Sequence, residues 1–234
     1  MSQSAASRPG SAQLGATLRS VLVAPKAGFE AAARAAERRA RIGEAPAEGF
    51  APYVLGALGG SAAMFLWLKL SVLAGFRTDS TLTFRWAFLV GAALLGAVLG
   101  LIAQFAWGAL GPRLVERIGG SATGRDVRMA WGASAFPQVF GILLLAPLDL
   151  IIVGPHTFTS AKLEDSVASA WAALSIALGV SLLLWSLYLF IKGLSVVAGI
   201  RMPKALAASA AAVVCLAAVV IAFRFAAVAF AGGA

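Results

Sequence analysis

Five long apolar runs dominate the chain, each bounded by charged residues, glycine or proline. A helix needs about 20 mostly apolar residues to cross a hydrocarbon core of roughly 30 Å, and each run is long enough. None shows the two-residue alternation of a barrel strand, so the pattern predicts helices. We therefore predict an all-α, polytopic integral membrane protein in which residues 50–234 form a bundle of five transmembrane helices. The expected spans are about 52–76, 84–110, 129–153, 168–197 and 206–230.

The region before the first run has a different pattern. Residues 1–16 lack the apolar stretch of a cleavable signal and predict a disordered tail, whereas residues 17–49 predict a cytoplasmic amphipathic segment. Within that segment, a helix from about residue 25 to 41 sets a modest apolar face against a basic face, a pattern typical of an interfacial helix on lipid headgroups. A solvated helix, or one that packs on the spans, is the alternative. The candidate surface residues are Arg19, Lys26, Phe29, Arg34 and Arg38.

Composition supports a membrane protein and excludes several other classes. Apolar residues make up 60% of the chain and charged residues 12%, against about 45–50% and about 25% in soluble domains. This excludes a disordered chain, and a single cysteine excludes a disulfide scaffold. The net charge of +9 would suggest nucleic acid for a soluble protein. Here the basic residues lie between apolar runs, so we expect anionic headgroups as the partner and no nucleic acid.

The distribution of Lys and Arg predicts the orientation of the bundle. Residues 1–49, 111–128 and 198–204 together carry thirteen of them, whereas the connections on the opposite side carry three. The positive-inside rule therefore places the N-terminus in the cytoplasm and the C-terminus outside, as an odd number of spans requires. We expect a bacterial cytoplasmic membrane, because the chain is rich in alanine and lacks asparagine.

Three charged residues within the spans are the candidate functional site: Lys69, Asp149 and Arg224. At 1.5 Å per residue, each lies roughly 6–10 Å below the predicted outer surface. Charge in a membrane is costly, and pairing Asp149 with Lys69 or with Arg224 would lower that cost. The three residues could form an outward-facing polar cluster for a substrate or a proton. Alternatively, they form a structural ion pair, or the cations snorkel to the interface.

Other polar and small residues in the spans predict packing rather than chemistry. Gln104 and Gln138 favour interhelical hydrogen bonds, and the Gly56–Gly60 and Gly96–Gly100 spacings favour close helix contacts. One cysteine and one histidine cannot form a metal cluster, and the chain offers no convergent nucleophile and base. We therefore predict no catalytic residue, cofactor or metal.

Two prolines, Pro137 and Pro147, fall in the third predicted span, and the second lies beside Asp149. Proline removes a backbone donor and can kink a helix. Broken helices at polar sites bind ions in many transporters, but prolines also occur in spans for packing reasons. Both interpretations stay open at this point.

Three segments together resemble the Yip-one domain, the Ypt/Rab-interacting membrane protein family. They are residues 18–29 (LRSVLVAPKAGF), 124–128 with 135–139 (GRDVR and AFPQV), and 193–205 (GLSVVAGIRMPKA). The resemblance implies a five-helix membrane protein with a cytoplasmic N-terminus. Eukaryotic members bind Rab-type GTPases in vesicle traffic, but their Asp-Leu-Tyr-Gly-Pro stretch is not found in this chain.

Two functions are consistent with these patterns. The first is a non-enzymatic membrane protein that organises the membrane or recruits a membrane or cytoplasmic protein partner. The second is a small transporter or channel subunit that uses the outer polar cluster. Nothing in the sequence supports a particular oligomeric state.

Overall fold

A computed structural model describes residues 20–21, 23–31, 34, 50–73, 86–154, 157 and 166–215. Every regular element in these ranges is helical. After helical residues at 20–21 and 25–31, they are, in chain order, α1 (Ala51–Leu73), α2 (Trp86–Arg117), α3 (Gly124–Ser134), α4 (Phe136–Phe140), a π-helical turn (Gly141–Leu145), α5 (Ala146–Ile152), α6 (Ser166–Val197) and α7 (Met202–Cys215).

Within the described residues, four helical stretches are long and apolar enough to cross a membrane. They are Ala51–Ser71, Phe88–Arg117, Gly124–Ile152 and Ser166–Val197, and they correspond to the first four predicted spans. The fifth predicted span is described only as far as Cys215. Helix α7 alone is too short to cross about 30 Å of hydrocarbon, so the described structure establishes a membrane-type helical bundle without establishing five spans.

The third span begins earlier than residue 129, where the apolar run begins. The side chain of Thr123 accepts a hydrogen bond from the Asp126 N–H, and the Asp126 carboxylate accepts one from the Thr123 N–H. This reciprocal capping box satisfies two free backbone donors. Residues 124–128 are polar and were predicted as part of a connection, but they are helical. The capping box begins the helix before the apolar run begins.

The third span is also interrupted, as its prolines suggest. Pro137 lies in the first turn of α4 and Pro147 in the first turn of α5. Between them, the Ala146 N–H bonds to the carbonyl of Gly141, which is the wider π-helical spacing. A proline ring clashes with the carbonyl four residues earlier in a regular α-helix. A wide turn directly before Pro147 relieves that clash.

Helices α1 and α2 approach most closely where both carry glycine. A Cβ atom on Gly60 would overlap the carbonyl oxygen of Gly96 and would lie 2.7 Å from the Cα of Gly100. On the other helix, a Cβ atom on Gly96 would lie 2.7 Å from the carbonyl oxygen of Gly60. The predicted glycine spacings therefore form one seam, in which the missing side chains let the two backbones touch.

A hydrophobic core joins α2, α3 and α6 at the opposite end of the bundle from Leu73. Its centre is aromatic: the ring centroids of Trp107 and Trp131 are 5.7 Å apart, and Phe190 meets the two rings edge-on at 4.9 and 5.1 Å. Stacked and edge-to-face rings stabilise a core beyond the burial of their area. This core holds together the end of the bundle at which α2 and α6 end.

The turns after α2 and α6 have the same hydrogen-bond pattern. Gly119, with φ 82°, donates to Glu116 while Gly120 donates to Val115; Gly199, with φ 63°, begins the equivalent pair after α6. Both are Schellman motifs, in which glycine adopts the left-handed conformation at low cost. The two turns also contact each other, since the Ser121 N–H donates to the Ala198 carbonyl at 3.2 Å.

The described part of the N-terminal segment packs against this same end. Val21 and Phe29 are buried, and a Cβ atom on Gly193 of α6 would lie 2.7 Å from the Phe29 ring. Phe29 therefore lies inside the bundle, which differs from its predicted place on the lipid headgroups. The reason is local: Gly193 leaves a recess that an aromatic ring fills.

Candidate functional site: a buried ion pair between three helices

The structure brings two of the three predicted cluster residues together. Lys69 from α1 donates through Nζ to Oδ2 of Asp149 on α5. Asp149 is 1% exposed and Lys69 is 9% exposed, so the pair is shielded even though each residue lies near the end of its helix. The third predicted residue, Arg224, lies outside the described residues.

Helix α6 supplies two further partners that sequence reasoning missed. The Lys69 Nζ also donates to the Ser175 Oγ at 2.7 Å, and the Trp171 Nε1 donates to the Asp149 Oδ1 at 3.0 Å. We call these four residues, Lys69, Asp149, Trp171 and Ser175, the ion-pair cluster. The sequence contains a signal for this pair of partners, because residues 171 and 175 are four apart and therefore share one face of a helix.

The cluster is well satisfied for a buried pair of charges. Each carboxylate oxygen of Asp149 accepts a side-chain hydrogen bond, and the Lys69 ammonium has two oxygen partners. Burying two ions is costly unless their geometry and extra hydrogen bonds compensate for lost water. The arrangement joins α1, α5 and α6 at one point. Its one lysine and one aspartate together carry no net charge.

A small cavity adjoins the cluster on the side of the π-helical turn. Its volume is about 20 Å³, and its walls include Lys69, Asp149, Ser175, Gln138 and Gly141. Gln138 is 5% exposed, and its Nε2 has no hydrogen-bond partner among the described residues. The predicted interhelical hydrogen bond of this amide nitrogen is therefore not found there.

A second polar contact lies at the other end of α1, centred on Gln104 of α2. The Gln104 Nε2 donates to the carbonyl of Arg128 at 2.9 Å and to that of Pro52 at 3.4 Å. Gln104 is fully buried. The Arg128 side chain donates to the Tyr53 hydroxyl at 3.3 Å and lies 5.6 Å from the centre of the Phe105 ring. This Gln104 contact provides the interhelical bonding that the sequence predicts.

The remaining candidate surface residues are only partly described. Lys26 and Arg34 are exposed, and the Lys26 Nζ lies 3.9 Å from Glu30 in an i,i+4 pair. Arg19 and Arg38 lie outside the described residues. The described segment thus has charged residues on one side and the buried Phe29 on the other.

Basic residues from separate segments converge on one end of the bundle, which we call the basic end. Most of its Arg and Lys side chains are exposed and lie in or near the turns after α2 and α6, and the Lys204 Nζ donates to the Ile118 carbonyl at 2.8 Å. The Ser121–Ala198 bond holds the two turns together. The basic end carries Arg113, Arg117, Arg125, Arg201 and Lys204, with Lys26 and Arg34 on the segment packed beside it.

Among the described residues, no group of three or more His, Cys, Asp or Glu side chains is placed to hold a metal ion. Comparison with protein-family models, curated protein sequences and solved structures finds no match.

Proposed function

We propose that this is a non-enzymatic membrane protein of the Yip-one type, which organises the membrane or recruits a partner at its basic end. One observation carries the proposal. A single hydrophobic core contains residues from all three segments that resemble the family: Phe29 from the first, Val127 from the second, and Leu194 and Ile200 from the third. Segments that are distant in sequence but share a core form one structural unit. In this proposal, that unit fixes the relative positions of the segments at the basic end.

The ion-pair cluster fits this role as a structural element. Its charged groups are satisfied by the protein itself, and the adjoining cavity is only about 20 Å³. A transported solute needs a site it can enter and leave, whereas a lysine and an aspartate bonded to each other fix three helices in place. The cluster therefore supports a rigid bundle rather than a permeation path.

The basic end also indicates how the protein is oriented in the membrane. The N-terminal segment, the end of α2, the start of α3 and the α6–α7 connection all lie there, and their Lys and Arg residues favour the cytoplasmic side. A partner at this end is then either an anionic lipid surface or a cytoplasmic protein. The protein is proposed to reside in a bacterial cytoplasmic membrane with five spans, the last formed by about residues 206–230.

Crosslinking in native membranes tests the proposal. A photoreactive residue at Arg201, on the exposed α6–α7 turn, is expected to capture a discrete protein or anionic lipid. The matched control is the same residue at Val98 of α2, an exposed apolar position, which should capture bulk lipid only. Indistinguishable adducts at the two positions would contradict recruitment at the basic end.

Two observations favour the transporter alternative. The third span contains a π-helical turn beside a buried ion pair, and the amide nitrogen of Gln138 has no partner among the described residues. Broken helices beside polar groups bind ions in transporters. On this alternative, thermal unfolding of the purified protein shifts with a particular ion, and Asp149→Asn abolishes the shift; a flat response across ions favours the structural role.

A further inference from the structure

The cavity beside the ion-pair cluster has the size and the chemistry of a site for one water molecule. A water needs at least about 10–15 Å³ of space and two to four polar partners. The cavity has about 20 Å³. It therefore has room for one water molecule.

The polar groups around the cavity are complementary to water. Gln138 offers a buried amide N–H₂ that has no partner among the described residues. Asp149 has one hydrogen bond on each oxygen, and an ionised carboxylate can accept about four. Ser175 accepts a bond from Lys69 and keeps a hydroxyl proton that it can donate.

The positions of these groups along the chain suggest what the water does. Gln138 belongs to α4, before the π-helical turn, and Asp149 belongs to α5, after it. Buried water typically bonds to buried polar groups that have no protein partner. A molecule between Gln138 and Asp149 would join the two halves of the interrupted span.

We propose that this cavity binds one structural water, which accepts a hydrogen bond from the Gln138 Nε2 and donates to the Asp149 carboxylate, bridging the π-helical turn. The site goes beyond the proposed function, since it would exist whether the basic end recruits a partner or not. It assigns Gln138 a role in ordering the third span. It also explains how a buried amide is tolerated in a bundle of this composition, because an unpaired donor in a dry core is destabilising.

Filling the cavity with a methyl group tests the proposal. A Cβ atom on Gly141 would lie 3.4 Å from the Ala62 Cβ and 4.0 Å from the Gln138 Oε1, which are ordinary contacts. Gly141→Ala therefore fills space without overlap. The matched control is Gly91→Ala on α2, where a Cβ atom meets nothing within 4 Å.

The measurement is the folded-to-unfolded ratio of each variant in detergent unfolding. Gly91→Ala should raise it about fivefold, because alanine is the better helix former by about 1 kcal/mol. The ratio for Gly141→Ala should be about 5- to 30-fold lower than the ratio for Gly91→Ala, because displacing the water leaves the Gln138 amide unpaired. This difference between the two variants is the shortfall. In a Gln138→Met background the shortfall should vanish, because the amide is no longer there.

Two outcomes would overturn the site. If Gly141→Ala stabilises the wild-type chain as much as Gly91→Ala does, the cavity is dry. If the shortfall persists in the Gln138→Met background, its cause is steric strain in the π-helical turn rather than lost water. An experimental density map gives an independent readout: a water peak within hydrogen-bond distance of the Gln138 Nε2 is expected in the wild type, and its absence would also overturn the proposal.

Discussion

The two ends of α1 are held to their neighbours by opposite means. In its first half, Gly60 presses against Gly96 and Gly100 of α2 with no side chain between the backbones. Near its other end, Lys69 reaches α5 and α6 through a charged side chain that makes two hydrogen bonds. One contact depends on the absence of atoms and the other on the presence of particular atoms.

This difference determines how each end responds to mutation. A seam between two helix backbones in a membrane is stabilised by dispersion at close approach, so added atoms disrupt it. A buried ion pair is costly to form, and removal of one partner leaves the other charge unpaired. Removing both partners should then be less harmful than removing one.

The largest effect is expected from breaking the ion pair. Asp149→Ala should reduce the free energy of unfolding by about 3–5 kcal/mol, because it leaves the Lys69 ammonium buried without its counter-ion. Adding Lys69→Met should recover part of that loss, so the double mutant should lose less than the sum of the single mutants. Detergent unfolding of the four proteins measures this coupling.

Two controls sharpen that experiment. Lys192→Met removes a partly exposed lysine near the end of α6, and its effect with Asp149→Ala should be additive. Trp171→Phe removes one hydrogen bond to Asp149 while keeping an aromatic ring, and should weaken the bundle by about 1 kcal/mol. Additivity of Lys69→Met with Asp149→Ala would show that the pair contributes nothing to stability.

An intermediate effect is expected at the glycine seam. Gly60→Ala places a methyl group against the Gly96 carbonyl and the Gly100 backbone, and overpacking of this kind costs about 1–3 kcal/mol. Gly91→Ala faces open space and should not destabilise the bundle. Equal unfolding midpoints for the two variants would mean that the helices separate here at no cost.

The smallest effect is expected at the Gln104 contact. Gln104→Leu removes the hydrogen bonds to the carbonyls of Pro52 and Arg128, and hydrogen bonds between membrane helices are worth about 0.6 kcal/mol each on average. The same substitution also removes the Gln104 Oε1, a buried oxygen with no partner among the described residues, which offsets part of the loss. Ser181→Ala, at an exposed hydroxyl on α6, is the reference; a loss at Gln104 above that of Asp149→Ala would reverse the comparison.

Hydrophobicity predicted the four described spans because lipid imposes one simple requirement on length and composition. Depth along the spans also placed Lys69 and Asp149 at the same level, where the structure joins them. Depth alone could not identify Trp171 and Ser175, because partners on a helix depend on its rotation about its axis. Nor could it predict the π-helical turn, which arises from a backbone clash at Pro147 rather than from hydrophobicity.

Helix capping shows a second limit of the hydrophobic pattern. Residues 124–128 are polar and therefore looked like a connection, yet Thr123 and Asp126 start a helix there. The placement of Phe29 has a similar cause, since amphipathic spacing does not reveal whether an apolar face meets lipid or protein. The recess at Gly193 decides that question, and a recess is a property of the assembled bundle.

The ion pair also imposes an order in time on the synthesis of this protein. Lys69 precedes Asp149 by 80 residues and Ser175 by 106. At about 5–20 residues per second, the lysine leaves the ribosome several seconds before its counter-ion exists. During that interval the first helix carries an ammonium group near one end without its counter-ion. The ion pair can form only once the third span has been made, so a contact of the first helix is completed by a residue translated much later.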